Sequence, residues 1–395
     1  MRRVFLFQLI LICTVMLCQA QALQFEWVNG VKRATMMVKE IDAGGNLYSI
    51  GSFHETTDFD PGTRVTILVN NGLADFFIAK HNSSGELLWA NGYGGSLNDW
   101  GLDLLMDNSG SIYAIAEYAG TVDFDPGPGT AIMSSIDSYD VALLKLDSNG
   151  NLIWVKSFGG LDKDMVSKIE MDANGNLYIS GFFYGQIDFD PGPGISSVTS
   201  NGDADVYLTK FDSDGNLLWY KTFGSTGYDV CYGMDMDNFA NICLTGHFYN
   251  TVDFDPGSGV TNLTSNGHSD IFLAKLDSFG NLSWAHSFGS TNIGEVGYAI
   301  DIDNANNIWL TGVFKLSVDF DPGLPVFTLS SNGALDAFIA KYSASGGLMW
   351  AGSIGGSGDD TPKAIVADYS GNIYVNGNFE NQVDFDPGFG IANYS

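Results

Sequence analysis

The string Asp-Phe-Asp-Pro-Gly occurs six times, starting at Asp58, Asp123, Asp188, Asp253, Asp319 and Asp384, at intervals of 65, 65, 65, 66 and 65 residues. A period held this tightly, with one insertion, makes each copy one structural unit in a regular array. Four strand-like runs recur in every unit, labelled A to D. Run A precedes the first turn, as at 166–172 and 297–303, and run B follows it, as at 176–183 and 307–314. Run C, at 205–210 or 270–275, is apolar on both faces. Run D carries Trp89, Trp154, Trp219, Trp284 or Trp350, with Trp27 as the offset counterpart in the first copy. Short runs rich in Val, Ile, Tyr, Phe and Trp, bounded by Gly, Asn and Asp, are the signature of strands.

The A–B and C–D connections read as tight hairpins, for example Asp-Ala-Asn-Gly-Asn at 172–176 and Asp-Ser-Asn-Gly-Asn at 147–151. Gly and Asn supply positive φ, and Asp bonds the backbone of its own turn. These turns look like calcium loops, but glycine falls at the fourth place instead of the sixth and no terminal acid follows. Four antiparallel strands repeated radially describe a propeller blade, and a run buried on both faces fits a sheet held between two neighbours. The expected fold is therefore all-β: a β-propeller of four-stranded antiparallel blades, about six repeats of ~65 residues over 23–395, with the last blade incomplete. A linear solenoid is the competing geometry. A D-like strand at 25–28, ahead of the first A strand, is the offset that ring closure requires. The chain stops at Ser395 before a sixth strand C would begin, so a fragment with further C-terminal domains is expected.

Residues 1–22 read as a secretory signal peptide. Arg2 and Arg3 precede an apolar stretch from Val4 to Leu17, and Ala20 and Ala22 offer cleavage sites. The stretch is too short and wrongly flanked for a membrane span. Acylation of Cys18 as a lipoprotein is disfavoured by the bulky Leu17 before it. The expected location is outside the cell or on its outer surface. The chain has 17 basic and 46 acidic residues; losing two arginines with the leader leaves 15 against 46, or −31. Such a surface repels nucleic acid and anionic lipid. Apolar content of 45% argues against disorder and for a large core. With Cys13 and Cys18 gone with the leader, Cys231 and Cys243 remain, on two strands of one hairpin whose turn sets Asp235, not Cys231, opposite Cys243. Two buried free thiols are expected.

The unit resembles the bacterial SBBP β-propeller repeat through Asp-Ile-Phe-Leu-Ala-Lys-Leu-Asp at 270–277, Gly-Asn-Leu-Ser-Trp at 280–284, Ser-Phe-Gly at 287–289 and Gly-Asn-Ile-Tyr-Val at 371–375. That resemblance implies a propeller in a secreted or surface protein of Bacteroidetes-type bacteria, often ending in a type IX sorting domain, with no single established activity. Asp147 and Trp154 also stand in the relation found in the quinoprotein propeller repeat. Quinone enzymes carry adjacent cysteines, and Cys231 and Cys243 are not adjacent.

Strand order puts the tight A–B and C–D turns on one face, and the long B–C and glycine-rich D–A loops on the other. Long loops on a rigid scaffold are where binding resides. The candidate calcium ligands are the paired carboxylates Asp58 and Asp60, Asp123 and Asp125, Asp188 and Asp190, Asp253 and Asp255, Asp319 and Asp321, and Asp384 and Asp386. In an extended Asp-Phe-Asp both acids project to one side, a hard-oxygen pair suited to calcium. The structural alternative has Phe anchoring the loop, Pro-Gly turning it and the acids bonding backbone amides. Asp99, Asp164, Asp229, Glu295 and Asp360 form a second acidic ring in the D–A loops. His54, His81, His247, His268 and His286 occupy different places in the unit, as scattered surface or loop residues would. On strand C an acid and a lysine lie five apart, as in Asp75/Lys80 and Asp270/Lys275, suggesting pairing between blades. A motif copied six times argues against catalysis, which needs one asymmetric constellation. The expected function is a non-enzymatic binding or scaffold module for a protein or glycan ligand, with calcium as the one candidate cofactor. An exported hydrolase or lyase with its site in the central funnel, and a structural spacer of a larger adhesin, are the alternatives.

Overall fold

The structure is a computed structural model that describes residues 34–394 except 61, 292, 293, 325, 389 and 391. The leader, Cys13, Cys18, Trp27 and the expected strand at 25–28 lie outside these residues. Every described element is a strand, and all the ladders between named strands are antiparallel. Among the described residues no helix is long and apolar enough to cross a membrane.

In unit 1, strands A (Ala34–Ile41), B (Leu47–Phe53), C (Asp75–His81) and D (Leu87–Tyr93) pair in chain order. Unit 2 repeats this meander with Trp100–Met106, Ile112–Asp123, Ile132–Leu146 and Leu152–Gly160. Unit 3 uses Asp164–Met171, Leu177–Asp188, Ser197–Phe211 and Leu217–Phe223. Unit 4 uses Val230–Met236, Ile242–Phe248, Asp270–Leu276 and Leu282–Phe288. Unit 5 uses Val296–Ile302, Ile308–Phe314, Asp336–Tyr342 and Leu348–Gly356, and unit 6 contributes A (Thr361–Ala367) and B (Ile373–Asn378). The turns follow the expected chemistry. Asp172 Oδ1 accepts the N–H groups of Asn174 and Asn176, both at 2.9 Å, and Gly175 has φ +81°.

The long B–C connection is more ordered than a loop. It folds back as a small hairpin, pairing Thr57–Asp58 with Ile67–Leu68 in unit 1 and Thr251–Asp253 with Asn262–Thr264 in unit 4. In units 2 and 3 the same pairing is continuous with strands B and C.

Successive sheets pack face to face. One apolar cluster joins units 1 and 2 through Ile50, Phe76, Ile112 and Leu144; others join units 2 and 3, 3 and 4, and 4 and 5. Strand C is buried along nearly its whole length, as its two apolar faces foretell. In units 2 to 5 the phenylalanine of Asp-Phe-Asp-Pro-Gly wedges into these seams, whereas Phe59 packs within unit 1 and Phe385 is exposed. Phe124, Phe189, Phe254 and Phe320 lie 5.9–6.5 Å from the strand-D rings of the preceding unit: Tyr93, Phe158, Phe223 and Phe288. Each also meets an aromatic of its own strand B edge-on, at 5.3–5.8 Å and 78–90°.

Two sets of close contacts join the sheets. The strand-D tryptophan of one unit lies against the C–D turn of the next, so that a Cβ on Gly150 (φ +83°) would meet Trp89 at 3.0 Å. Trp89 Nε1 also donates to Ser148 O of that turn. At the end of strand D a glycine pair is sterically required: a Cβ on Gly159 would meet Asp140 Cγ at 2.4 Å, and one on Gly160 would meet Gln186 O of the next unit at 1.9 Å.

The strand-C lysines differ from expectation in their acid partner. Lys80, Lys210, Lys275 and Lys341 pair with the A–B turn aspartates of their own units, Asp42, Asp172, Asp237 and Asp303, at 2.7–3.6 Å. What crosses between units is a hydrogen bond, from Lys145, Lys210 and Lys275 to carbonyls of the next C–D turn, each at 3.4 Å. Asp235 stands opposite Cys243 as expected, and both thiols are free and buried.

The A–B turn of unit 4 departs from the repeat, placing Ala240 at φ +60° where unit 3 has Gly175. A Cβ in the left-handed region costs about 1 kcal/mol or more. Ala240→Gly is therefore expected to stabilise the protein by about 1 kcal/mol, read as a higher denaturant midpoint at unchanged m-value; a lower midpoint would show that the strain is absent.

Candidate functional site

The repeated motif holds itself together through its own backbone. In all six copies, Oδ1 of the first aspartate accepts the N–H groups two and eight residues on, at 3.1 and 2.8 Å. For Asp188 these donors are Asp190 and Ser196. Oδ1 of the second aspartate accepts from the glycine two residues on, at 2.7–2.9 Å. In unit 1 the other oxygen of Asp60 is paired with Arg64 at 3.0 Å. One carboxylate closes the hairpin and the next shapes its Pro-Gly turn, so Asp58 and Asp60 and their ten counterparts are all engaged locally. Among the described residues no three His, Cys, Asp or Glu side chains gather as a metal site would require.

The second acidic ring does not face solvent. Asp99, Asp164, Asp229, Glu295 and Asp360 are all buried. Each fastens its D–A loop: Asp99 accepts from Gly95 N and from Ala119 N of the next B–C hairpin, and Asp360 from Gly356 N and Glu380 N. Beside them lie the buried strand-C aspartates Asp75, Asp140, Asp205, Asp270 and Asp336. In four of these, Asp75, Asp140, Asp205 and Asp336, Oδ1 has no hydrogen-bond partner among the described residues. Burial raises Asp75 and Asp229, takes Asp99, Asp205, Asp270 and Asp336 to about 6, Asp140 and Glu295 to about 7, and Asp164 to about 8. Proximity adds to this, because Asp75 raises Asp99 and Asp140 raises Asp164.

A third constellation has no counterpart in the repeat. On the A strands, Lys39 reaches Asp103 at 3.0 Å and Lys168 reaches it at 3.6 Å. Asp103, Asp235 and Asp301 accept backbone N–H groups of Ile169, Ile302 and Ala367 on the A strand of the following unit. Glu170 lies in the field of Asp235, Asp103 and Glu40, and burial followed by these charges pushes it well up. Burial likewise raises Glu40 and Asp235 to about 7. This cluster went unseen in the sequence. Its signal was the residue two before each A–B turn aspartate, which reads Glu40, Leu105, Glu170, Asp235, Asp301 and Val366.

The histidines are less exposed than expected. His54 and His268 are exposed, but His81 and His247 are buried. His286 stacks on Trp284 at 4.8 Å. Burial pushes the Cys231 thiol up to about 12 and Cys243 higher still, which leaves both inert.

No family model matches the chain. It is 23% identical over 270 residues to an uncharacterized WD repeat-containing protein of Acanthamoeba polyphaga mimivirus, covering 59% of this chain and 19% of that protein. It is 26% identical over 191 residues to the regulatory protein FlaEY of Caulobacter vibrioides, covering 47% and 19% respectively. The chain thus spans about a fifth of the length of these curated relatives. A crystal structure of a protein of unknown function from Bacteroides caccae is similar with a TM-score of 0.32 and 7% identity, over 70% of this chain and 89% of that one. The chain is a β-rich repeat protein.

The raised carboxyls set a pH dependence. A group whose folded pKa lies above its unfolded value stabilises the fold below the unfolded value, near 4, and loses that effect as pH rises through the folded value. For the buried ring that window runs from about 4 to about 8. The turn aspartates act oppositely: Asp303, held near 2 by Asn307 and Lys341 against the opposing effect of burial, contributes above pH 4 and loses its contribution below. The thermal midpoint is expected to peak near pH 5 and fall by several degrees by pH 8 at constant ionic strength. A midpoint that rises steadily to pH 8 would contradict this account.

Proposed function

We propose that the chain is an exported, non-enzymatic β-propeller module whose long-loop face is a binding surface for a protein or glycan. One observation carries the reading. The seventh residue after the first aspartate of the motif is a strongly exposed aliphatic in four units: Val65 at 71%, Ile195 at 84%, Val260 at 72% and Val326 at 64%. Each sits on a hairpin fixed by its aspartates, so an apolar side chain is presented to water at a defined place. Side chains on loops held by a rigid scaffold are where binding concentrates.

Ring closure is supported by the face-to-face packing of successive sheets and by the A strands lying next to one another from unit to unit. It is also supported by the WD repeat named in the mimivirus relative, since such repeats build four-stranded propeller blades. The present unit is longer than the roughly 40–45 residues of that repeat, and the B–C hairpin accounts for the excess. Export rests on the expected leader at 1–22, and attachment to further domains on the greater length of the relatives.

A quadruple Val65→Ser, Ile195→Ser, Val260→Ser, Val326→Ser variant should lose at least tenfold in affinity for whichever of immobilised fibronectin, collagen, β-glucan and mannan the parent binds. The opposite-face variant Phe239→Ser, Phe279→Ser should keep that affinity. Equal losses in both, or no binding by the parent, would sink the reading. Turnover of a polysaccharide abolished by Glu170→Gln would replace it with the funnel hydrolase.

Calcium is proposed as a stabiliser at the motif, completed by carbonyls and water, since the aspartates offer few oxygens beyond those bonded to N–H groups. Millimolar calcium should then raise the thermal midpoint over that in chelator; identical midpoints would remove calcium from the description.

A further inference from the structure

In a repeat array the positions that fold each unit are copied, whereas positions that recognise a ligand are free to differ. At the long-loop end of the unit the copies diverge sharply. The last position but one of strand B in unit 4, His247, is Ser52, Glu117, Phe182, Val313 and Asn378 in the others. The position of Tyr232 on strand A is Met37, Leu102, Ser167, Tyr298 and Lys363 elsewhere.

The structure brings the aromatic members of these positions together across units 3 to 5. Tyr184 lies 6.0 Å from Tyr228, which lies 5.6 Å from His247. His247 is 5.8 Å from both Tyr232 and Tyr249, and Tyr232 is 5.6 Å from Tyr298. The five tyrosines are half-buried, so each ring retains some exposed surface. His247 is only 6% exposed, and its Nδ1 is buried with no hydrogen-bond partner among the described residues. Tyr184 also lines an open hollow of about 460 Å³ with Ser138, Leu161, Asp162 and Lys163.

We propose that this run of rings, Tyr184, Tyr228, Tyr232, His247, Tyr249 and Tyr298, is a binding site for a neutral oligosaccharide. Sugar rings present apolar C–H faces that stack on tyrosine, and hydroxyls that answer phenolic oxygens and an unpaired imidazole nitrogen. A chain with a net charge of −29 repels anions. Local charge favours neither sign strongly: Lys163 is offset by Asp162 at one end of the run, and at the other the Lys363 ammonium already lies 5.4 Å over Tyr298. Burial holds the His247 pKa near 4, so the imidazole is neutral at physiological pH and brings no charge of its own to the site. The site rests on the binding-module reading and gives that reading its ligand class.

Calorimetric titration of the full chain with cellohexaose, laminarihexaose and mannohexaose tests it, with hexagalacturonate and tetramethylammonium as counter-probes. At least one neutral hexasaccharide should bind, with affinity unchanged between pH 5.5 and 8. Tyr232→Ala and Tyr249→Ala should each weaken it tenfold or more, Tyr232→Phe less, and Tyr374→Ala in unit 6 not at all. Matching thermal midpoints separate lost contacts from lost fold. Binding of tetramethylammonium or hexagalacturonate alone, or of no neutral hexasaccharide, overturns the proposal. If fibronectin or collagen binding through the aliphatic loops survives that result, the module reading stands without its sugar.

Discussion

The interaction on which the rest of the structure depends is the phenylalanine wedge between successive sheets. A four-stranded meander has two apolar faces and cannot satisfy either alone, so each unit is stable only against its neighbours. The wedge makes that contact specific. Phe189 is clasped by Phe183 of its own sheet and packs against Phe158 of the sheet before it. Full burial of such a ring contributes roughly 1.5–3 kcal/mol, and the gain is repeated at each of four seams. The flanking aspartates and Pro-Gly hold the hairpin in the shape that delivers the ring in units 2 to 5. This explains why five consecutive residues are copied together while their surroundings drift.

A chain this acidic must place its charge with care, and the fold does so in three ways. Turn aspartates such as Asp172 are kept ionised by backbone and asparagine N–H groups and by a strand-C lysine, despite the burial that opposes ionisation. Motif aspartates are held by amides at the hairpin. The third group, the acids of strand C and the D–A loops, is buried where ionisation is costly; Asp99, Asp140 and Asp164 rise to between about 6 and about 8, so that some members are neutral near physiological pH. A neutral carboxyl costs far less to bury than a carboxylate. The formal charge therefore overstates the negative field of the folded surface.

What the sequence made legible was whatever the repeat carries. The period gave the unit, alternation gave four strands, Asp-x-Asn-Gly-Asn gave the turns, and hairpin register placed Asp235 opposite Cys243. Two things misled. Asp99 and its counterparts sit in polar loops and read as surface acids, because nothing in a loop's composition reveals that a neighbouring unit will cover it. The strand-C lysines were assigned across the seam because five residues along a strand reverses the face; the turn that brings Asp172 back beneath Lys210 is a feature of three-dimensional pairing. The residues that escaped entirely, Glu170 among acids and Tyr232 among rings, are those that differ from copy to copy. A search for repetition discards them by design.

That failure is itself informative about where function resides in such a molecule. Sixfold copying constrains a residue through folding, and it dilutes any chemistry that needs one asymmetric arrangement. The converse holds at the ends of strands A and B, where the framework fixes the backbone position but leaves the side chain open. Substitutions there spare the wedge and the glycine pair, although some of these side chains, such as Glu117, Asp235 and Asp301, accept an N–H of the following unit. Equivalent backbones can therefore display unrelated side chains from unit to unit at little energetic penalty. The tyrosines of units 3 to 5 and the carboxyls of the A strands both exploit that freedom, at sites the repeat itself never specifies.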